Sequence, residues 1–313
     1  MTKKDLYLSV VSPVYQSNTI VDELVKRIKE NITSVTNNFE IILIDDGSTD
    51  NSWEKIKKNC EQDFRIKGIK LSRNFGQHQA ISAGIKITRG DYAIVMDCDL
   101  QHDPIYIKDL VSKAQEGFDV VFTLELNKKK STIRKITSSF FYSIFNYFSN
   151  FKNVDHRIGN YSLISRKVIN CYNSSKEYHR QYLMLLRNFG FSSAILSINH
   201  NKRFKGQSSY NFTSLIKLAI DGITSNSDIL LRKMVAVGFI YIIFTIIYSI
   251  YALSTYFLKG SYPGFTSIII VLLSSTGLIL SSLGIIGTYI GKIFIQVKNR
   301  PLYIIDKVEN IES

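Results

Sequence analysis

The chain has 313 residues, three cysteines and a net charge of +13. That length exceeds one small domain and supports a sizeable core, and the positive surplus points to an anionic partner: phospholipid, a phosphorylated substrate or nucleic acid. Cys60, Cys98 and Cys171 lie far apart with no CxxC and no Cys/His cluster. This argues against a disulfide framework or structural zinc and fits reduced thiols facing the cytosol.

In chain order, "LYLSVVSPVY" reads as the first strand, and its break at Ser12 and Pro13 is unlike the apolar stretch of a signal peptide. Four more strands follow: "FEIILIDDGS", "IKGIKLSRN", "DYAIVMDCD" and "FDVVFTLE". Their near-continuous apolar cores fit strands covered on both faces. Between them, "TIVDELVKRIKENI", "NSWEKIKKNCEQ", "QAISAGIKIT" and "IYIKDLVSKAQEG" have helical spacing. Asn51, three residues before Glu54, resembles a capping box, and Gly117 suits a helix stop. The alternation predicts an α/β unit with a mostly parallel sheet, which binds ligands at the carboxyl ends of its strands.

After residue 125 the composition shifts. "NKKKSTIRKITSSFFYSIFNYFSNF" is basic and aromatic, too short and polar to span a bilayer, and reads as an interfacial helix; residues 214–228 are a second candidate. Two long uncharged stretches follow, Lys233 to Lys259 and Lys259 to Lys292, each exceeding the roughly 20 residues a spanning helix needs. The short "KGSYPG" connection makes them an antiparallel hairpin. Arg232 and Lys233 precede it, and Lys292, Lys298 and Arg300 follow, so both ends are expected in the cytoplasm. Gly277, Ser281, Gly284, Gly287 and Gly291 have spacings that permit close helix packing. Lipid explains the positive charge better than nucleic acid does.

Two acidic pairs end apolar strands: Asp45/Asp46 and Asp97/Asp99, with Asp103 close behind. Alternate strand residues point the same way, so Asp97 and Asp99 could face one ligand. Hard divalent cations prefer such oxygens, and Mg²⁺ typically bridges a few carboxylates to substrate phosphates. Alone, Asp-x-Asp is a weak motif common in turns; its weight here comes from the second pair at the same sheet edge. A nicotinamide enzyme would need GxGxxG after the first strand, and "SPVYQSN" is not that.

"SVVSPVY", "EIILIDDGSTDNSWE", "KLSRNFGQHQAISAGI" and "GDYAIVMDCDLQHDP" come in the order and near the spacing of glycosyltransferase family two. With "RFKGQSSYNFTSLIKLAIDGI", two apolar spans and "NRPLYII", the whole chain resembles the polyisoprenyl-phosphate glycosyltransferases, relatives of dolichyl-phosphate mannose synthase and of enzymes that glucosylate undecaprenyl phosphate. The resemblance implies a Rossmann-like GT-A fold over 1–125 that binds a nucleotide-sugar. It also implies an acceptor-side region over 126–232, a transmembrane hairpin over 233–294 and a cytoplasmic tail over 295–313. Pro13, Tyr15, Asp45 and Asp46 would bind the base and ribose of a UDP- or GDP-sugar. Arg73 and Asn74 would lie near the nucleotide or sugar, and Gln101 and the catalytic Asp103 would flank the sugar. Asp97 and Asp99 would hold Mg²⁺ or Mn²⁺ against the diphosphate, and Arg203, Lys205, Ser208, Ser209 and Tyr210 would lie near the phosphates. The acceptor would be a polyisoprenyl phosphate in a bacterial inner or plasma membrane, the transfer inverting, and a homo-oligomer is compatible with the family.

Where related enzymes carry an acidic residue in a Gly-Asp-Phe stretch, this chain has Asn160, and the nearest carboxylate is Asp155. Either Asp155 substitutes, or no base is needed, or the acceptor differs. His102 is tempting as a metal ligand, yet Mg²⁺ prefers oxygen. A processive polysaccharide synthase would need a Gln-x-x-Arg-Trp box and more spans; the single Trp53 is misplaced for it. A transferase acting on another lipid or glycan remains an alternative, as does a non-catalytic membrane-anchored scaffold. The intact Asp97, Asp99 and Asp103 count against the scaffold.

Overall fold

The structure is a computed structural model that describes residues 6–126, 157–178, 180–199, 229–259 and 264–311. Both expected interfacial helices lie outside these residues. The described chain falls into two units. The first comprises the parts up to residue 199 together with 300–311, and the second comprises 229–299.

The first unit is built on one mixed eight-stranded sheet. Its strands are β1 (Leu8–Val14), β2 (Phe39–Asp45), β3 (Ile66–Leu71), β4 (Tyr92–Val95), β5 (Val120–Glu125), β6 (Ile158–Ser165), β7 (Ser193–Ile198) and β8 (Ile305–Glu309), in the order β7-β5-β6-β4-β1-β2-β3-β8. The first five are the strands read from the sequence. β4, β1, β2 and β3 are mutually parallel, while β6 runs antiparallel to both β4 and β5. The chain moves outward from β1 through β2 to β3, then returns to place β4 on the other side of β1. This reversal opens a crevice at the carboxyl ends of β1 and β4.

Helices α1 (Val21–Ile32), α2 (Ser52–Gln62) and α4 (Ile107–Gln115) cover one face; α3 (Gln77–Ile87), α5 (Arg166–Ser174) and α6 (Tyr182–Asn188) cover the other. The pleat divides β2 between them. Ile41 and Leu43 pack with Leu24, Ile28 and Ile56, and Ile42 and Ile44 pack with Ile81 and Ile85. Burial on both faces explains why these strands lack polar alternation. Gly117 ends α4 at φ +104°, as its sequence position suggests. The capping box at Asn51 does not form: its side chain makes no cap bond, and Asp50 instead accepts from the N–H and hydroxyl of Ser52.

Residues 295–313, grouped above as a tail, contain β8. It pairs antiparallel with β3, and the Asn310 amide donates to the carbonyls of Cys60 and Ile66 at 2.7 and 2.9 Å. Five mixed residues, "IDKVE", carry too little pattern to announce a strand. In the second unit, α7 (Ile229–Lys259) and α8 (Phe265–Val297) each contain a 27-residue segment long and apolar enough to cross a membrane. Phe239, Ile240, Phe244, Ile279 and Leu283 are exposed, unlike the core side chains of a soluble helix. A Cβ added at Gly277, Gly284, Gly287 or Gly291 would meet no atom within 4 Å, so the close packing their spacing permits is not made among the described residues.

Candidate active site

Four turns follow the carboxyl ends of β1, β2, β3 and β4. The first two are tied together: Gln16 N–H donates to Ser48 Oγ at 3.0 Å, Ser17 N–H to Ser52 Oγ at 2.9 Å, and Asn18 N–H to Asp50 Oδ2 at 3.2 Å. Pro13 is buried, whereas Tyr15 beyond it is 45% exposed on the rim.

The adjacent carboxylates Asp45 and Asp46 are both buried but differ in use. Asp45 Oδ1 accepts the Ser48 N–H at 3.1 Å, and its buried Oδ2 has no hydrogen-bond partner among the described residues. A native buried oxygen in that condition calls for a donor that the described residues do not supply. Asp46 is spent on the third turn, its two oxygens accepting Phe75 N–H at 2.8 Å and Gly76 N–H at 2.9 Å. Burial raises both carboxyls above the usual carboxylate range, and their hydrogen bonds oppose that rise. Gly47 adopts φ +66°, and a Cβ there would sit 2.3 Å from the Arg73 carbonyl carbon. Glycine is therefore needed for the second turn to pack against the third. Arg73 and Asn74 are exposed, with the Arg73 guanidinium 4.1 Å from the Phe75 ring centre.

The fourth turn carries Asp97, Cys98, Asp99, Leu100, Gln101 and Asp103. Leu100 is buried at φ +57°, a strained conformation for a leucine. Asp99 Oδ1 accepts the Gln101 N–H at 3.1 Å, and Asp103 Oδ1 caps the short 3₁₀ turn Pro104–Tyr106 through Ile105 N–H at 3.0 Å. Burial raises the Asp97 carboxyl; His102, Asn160 and the amide of Gln77, whose Nε2 donates to Asp97 Oδ1 at 2.5 Å, oppose this, while Asp99 adds to it. Burial also pushes the Cys98 thiol up to about 11, which leaves it protonated and unreactive near neutral pH.

Asn160 reaches Asp97 because β6 pairs with β4, a long-range neighbour that no local pattern announces. Gln77 is a further site residue that the sequence does not mark: the helical spacing of "QAISAGIKIT" begins at Gln79, two residues after the helix itself starts. His102 is buried and paired with Glu125 at 3.0 Å, and it stacks on Tyr161 with ring centres 5.4 Å apart. It is committed to supporting the acidic turn from behind. Asp155, Arg203, Lys205, Ser208, Ser209 and Tyr210 lie outside the described residues.

Among the described residues, no group of three or more His, Cys, Asp or Glu side chains could enclose a metal. The donor set at the end of β4 is two carboxylates of one strand end. That fits a hard cation completed by substrate phosphate and water rather than a closed protein cage.

Residues 9–172 match glycosyl transferase family 2. The chain belongs to that family. An uncharacterized glycosyltransferase of Synechocystis is 32% identical over 97% of this chain and 96% of its own length. An undecaprenyl-phosphate 4-deoxy-4-formamido-L-arabinose transferase of Shewanella sediminis is 31% identical over 96% of this chain and 92% of its own. In fold, the chain is similar to glucosyl-3-phosphoglycerate synthase of Mycobacterium tuberculosis, solved with Mn²⁺, UDP-glucose and phosphoglyceric acid. The TM-score is 0.50 and the identity 12%, over 71% of this chain and 78% of that one. The family-two glycosyltransferase has its two acidic pairs at the ends of β2 and β4, the strands on either side of β1.

Proposed function

We propose that this glycosyltransferase moves a sugar from a UDP- or GDP-sugar onto the phosphate of a polyisoprenyl phosphate of the undecaprenyl class, with inversion, at the cytoplasmic membrane face. The observation that carries the reading is the joining, in one chain, of two carboxylates at a buried strand end with a pair of exposed apolar helices of spanning length. The full-length similarity to an undecaprenyl-phosphate sugar transferase supports the acceptor class.

Asp45 Oδ2 would accept a donor N–H or hydroxyl of the base or ribose, which gives that buried oxygen its missing partner. Tyr15 on the rim would stack against the base, and Pro13 would hold the turn. Asp46 would act through the loop it anchors, presenting Arg73 and Asn74 to the nucleotide. Asp97 and Asp99 would hold Mg²⁺ or Mn²⁺, which when bound offsets the negative charge gathering on the departing diphosphate. Gln101 and Asp103 would flank the sugar. The acceptor phosphate, with a second pKa of about 6, is already largely ionised near neutral pH and serves as its own nucleophile. One of its oxygens attacks the anomeric carbon as the bond to the diphosphate breaks. On this reading Asn160 need not remove a proton, and its amide is better used on Asp97.

The sheet also supports the topology. β8 follows the second apolar helix yet belongs to the same unit as β1, so both ends of the hairpin open on one side of a bilayer. Arg232, Lys233, Lys298 and Arg300 at those ends favour the cytoplasm.

The test incubates the detergent-purified protein with a panel of nucleotide-sugars and undecaprenyl phosphate, with mass spectrometry of the lipid fraction. A glycosyl-phospho-lipid that disappears in excess EDTA is expected. Full activity after metal removal would sink the assignment of Asp97 and Asp99, and transfer only to unphosphorylated acceptors would sink the acceptor class.

A further inference from the structure

We propose that Gln77 is a positioning residue through which the turn after β2 sets the orientation of the Asp97 carboxylate. This rests on the glycosyl-transfer reading above.

The contacts form a continuous chain. Asp46 holds the N–H groups of Phe75 and Gly76, the two residues immediately before Gln77. Gly76, at φ +104°, turns the backbone into α3, so Gln77 opens that helix. From there its Nε2 donates to Asp97 Oδ1 at 2.5 Å. On the β6 side, Asn160 also favours the ionised form of Asp97. Gly47 seals the other end, because its missing Cβ lets the second turn lie directly on the backbone of Arg73 and Asn74.

The residue types explain why this is a positioning device. Hydrogen bonds to an ionised acceptor are stronger than neutral ones, so the Gln77 amide can hold the plane of the Asp97 carboxylate. Unlike Arg or Lys, an amide does so without cancelling the negative charge that a cation at this strand end would need. Gln77 thus joins the turn assigned to the nucleotide to the carboxylate assigned to the diphosphate. A change in the Arg73–Gly76 loop would be felt at Asp97 through this single side chain.

The test uses the full-length protein in detergent. Mn²⁺ affinity is read by electron paramagnetic resonance of free Mn²⁺ in the presence of UDP or GDP, and nucleotide affinity by calorimetry without metal. Residues that orient metal ligands typically contribute about 10–100-fold to metal affinity. Gln77→Met, which keeps length and loses the donor, is expected to weaken Mn²⁺ binding by that order while metal-free nucleotide binding stays within about twofold. Gln77→Ala, compatible with a helix start, is the second variant should the first fail to fold. Because Gln77 acts through Asp97, adding Gln77→Met to Asp97→Asn should cause no further loss. Unchanged Mn²⁺ affinity in both Gln77 variants, or additive losses in the double variant, would overturn this proposal alone. Absence of Mn²⁺ binding by the wild type would overturn the metal-dependent reading of the site and this proposal with it.

Discussion

At Gly47 a single missing carbon decides whether two turns can meet. An alanine there would carry about 1–2 kcal/mol of left-handed backbone cost and a collision with the Arg73 backbone at 2.3 Å. Gly47→Ala should therefore lower nucleotide affinity at least tenfold while far-ultraviolet circular dichroism stays native; wild-type affinity in calorimetry would remove the packing argument. His78, the second residue of α3, is a different kind of residue. Its Nδ1 accepts the Tyr182 N–H at 3.4 Å, and burial lowers its pKa from 6.5 to about 4. Between those values the unfolded chain binds a proton that the folded chain does not, so stability falls as pH drops through this window. The melting temperature should decline from about pH 6.5 towards pH 4, and His78→Asn should flatten the decline. Equal slopes for the two proteins would show that another group sets it.

Between elements, the most consequential polar contact lies at the opposite end of the sheet from the site. Glu40 on β2 and Lys67 on β3 form a buried ion pair, with Ser9 on β1 donating its hydroxyl to Glu40 at 2.6 Å and Arg89 its N–H at 2.6 Å. Burial raises the Glu40 carboxyl, but these bonds outweigh it and the net shift is downward. Removing one partner strands the other, which typically costs about 3–5 kcal/mol. Glu40→Ala should show a loss of that size in denaturant melts, and a loss below about 1 kcal/mol would mean that Lys67 finds water instead. β8 makes a second element-scale prediction. A chain cut after Arg232 loses not only the apolar helices but also β8, the Asn310 bonds and the packing of Tyr303 and Ile311. It should melt lower than a chain in which a flexible Gly/Ser linker replaces 233–299 and residues 300–313 are kept. Equal melting temperatures would show that β3 tolerates an open edge.

At the scale of the whole molecule, the return of the chain to its own sheet constrains how it can sit in a membrane. If the two apolar helices of the described residues both span, as proposed, a C-terminal strand in the N-terminal sheet puts both termini on one side. Reporter fusions at Met1 and after Ser313 should both give a cytoplasmic signal, while a reporter between Lys259 and Gly264 should give an external one. An external C-terminus would contradict both the charge argument and the sheet.

The first five strands and the four helices among them were legible because each rests on a local pattern: a continuous apolar run, or an apolar face repeating every three to four residues. Asp45, Asp97 and Asp99 were legible for the same reason, since ending a buried strand is a property of the neighbouring residues. The apolar pair was legible from length and missing charge alone. What the tertiary structure decided depends on residues far apart in the chain. β6 delivers Asn160 to Asp97 only by pairing with β4, and β8 joins β3 across more than 200 residues. Asp45 and Asp46 read identically in sequence, and only the fold separates them, because Asp46 meets the N–H groups of Phe75 and Gly76 while Asp45 keeps a buried oxygen without a partner among the described residues. His102 likewise was resolved by Glu125, a neighbour brought to it by β5. Local patterns record what a side chain prefers. Which group satisfies a buried polar atom is fixed by strand order and register, and these exist only once the sheet is assembled.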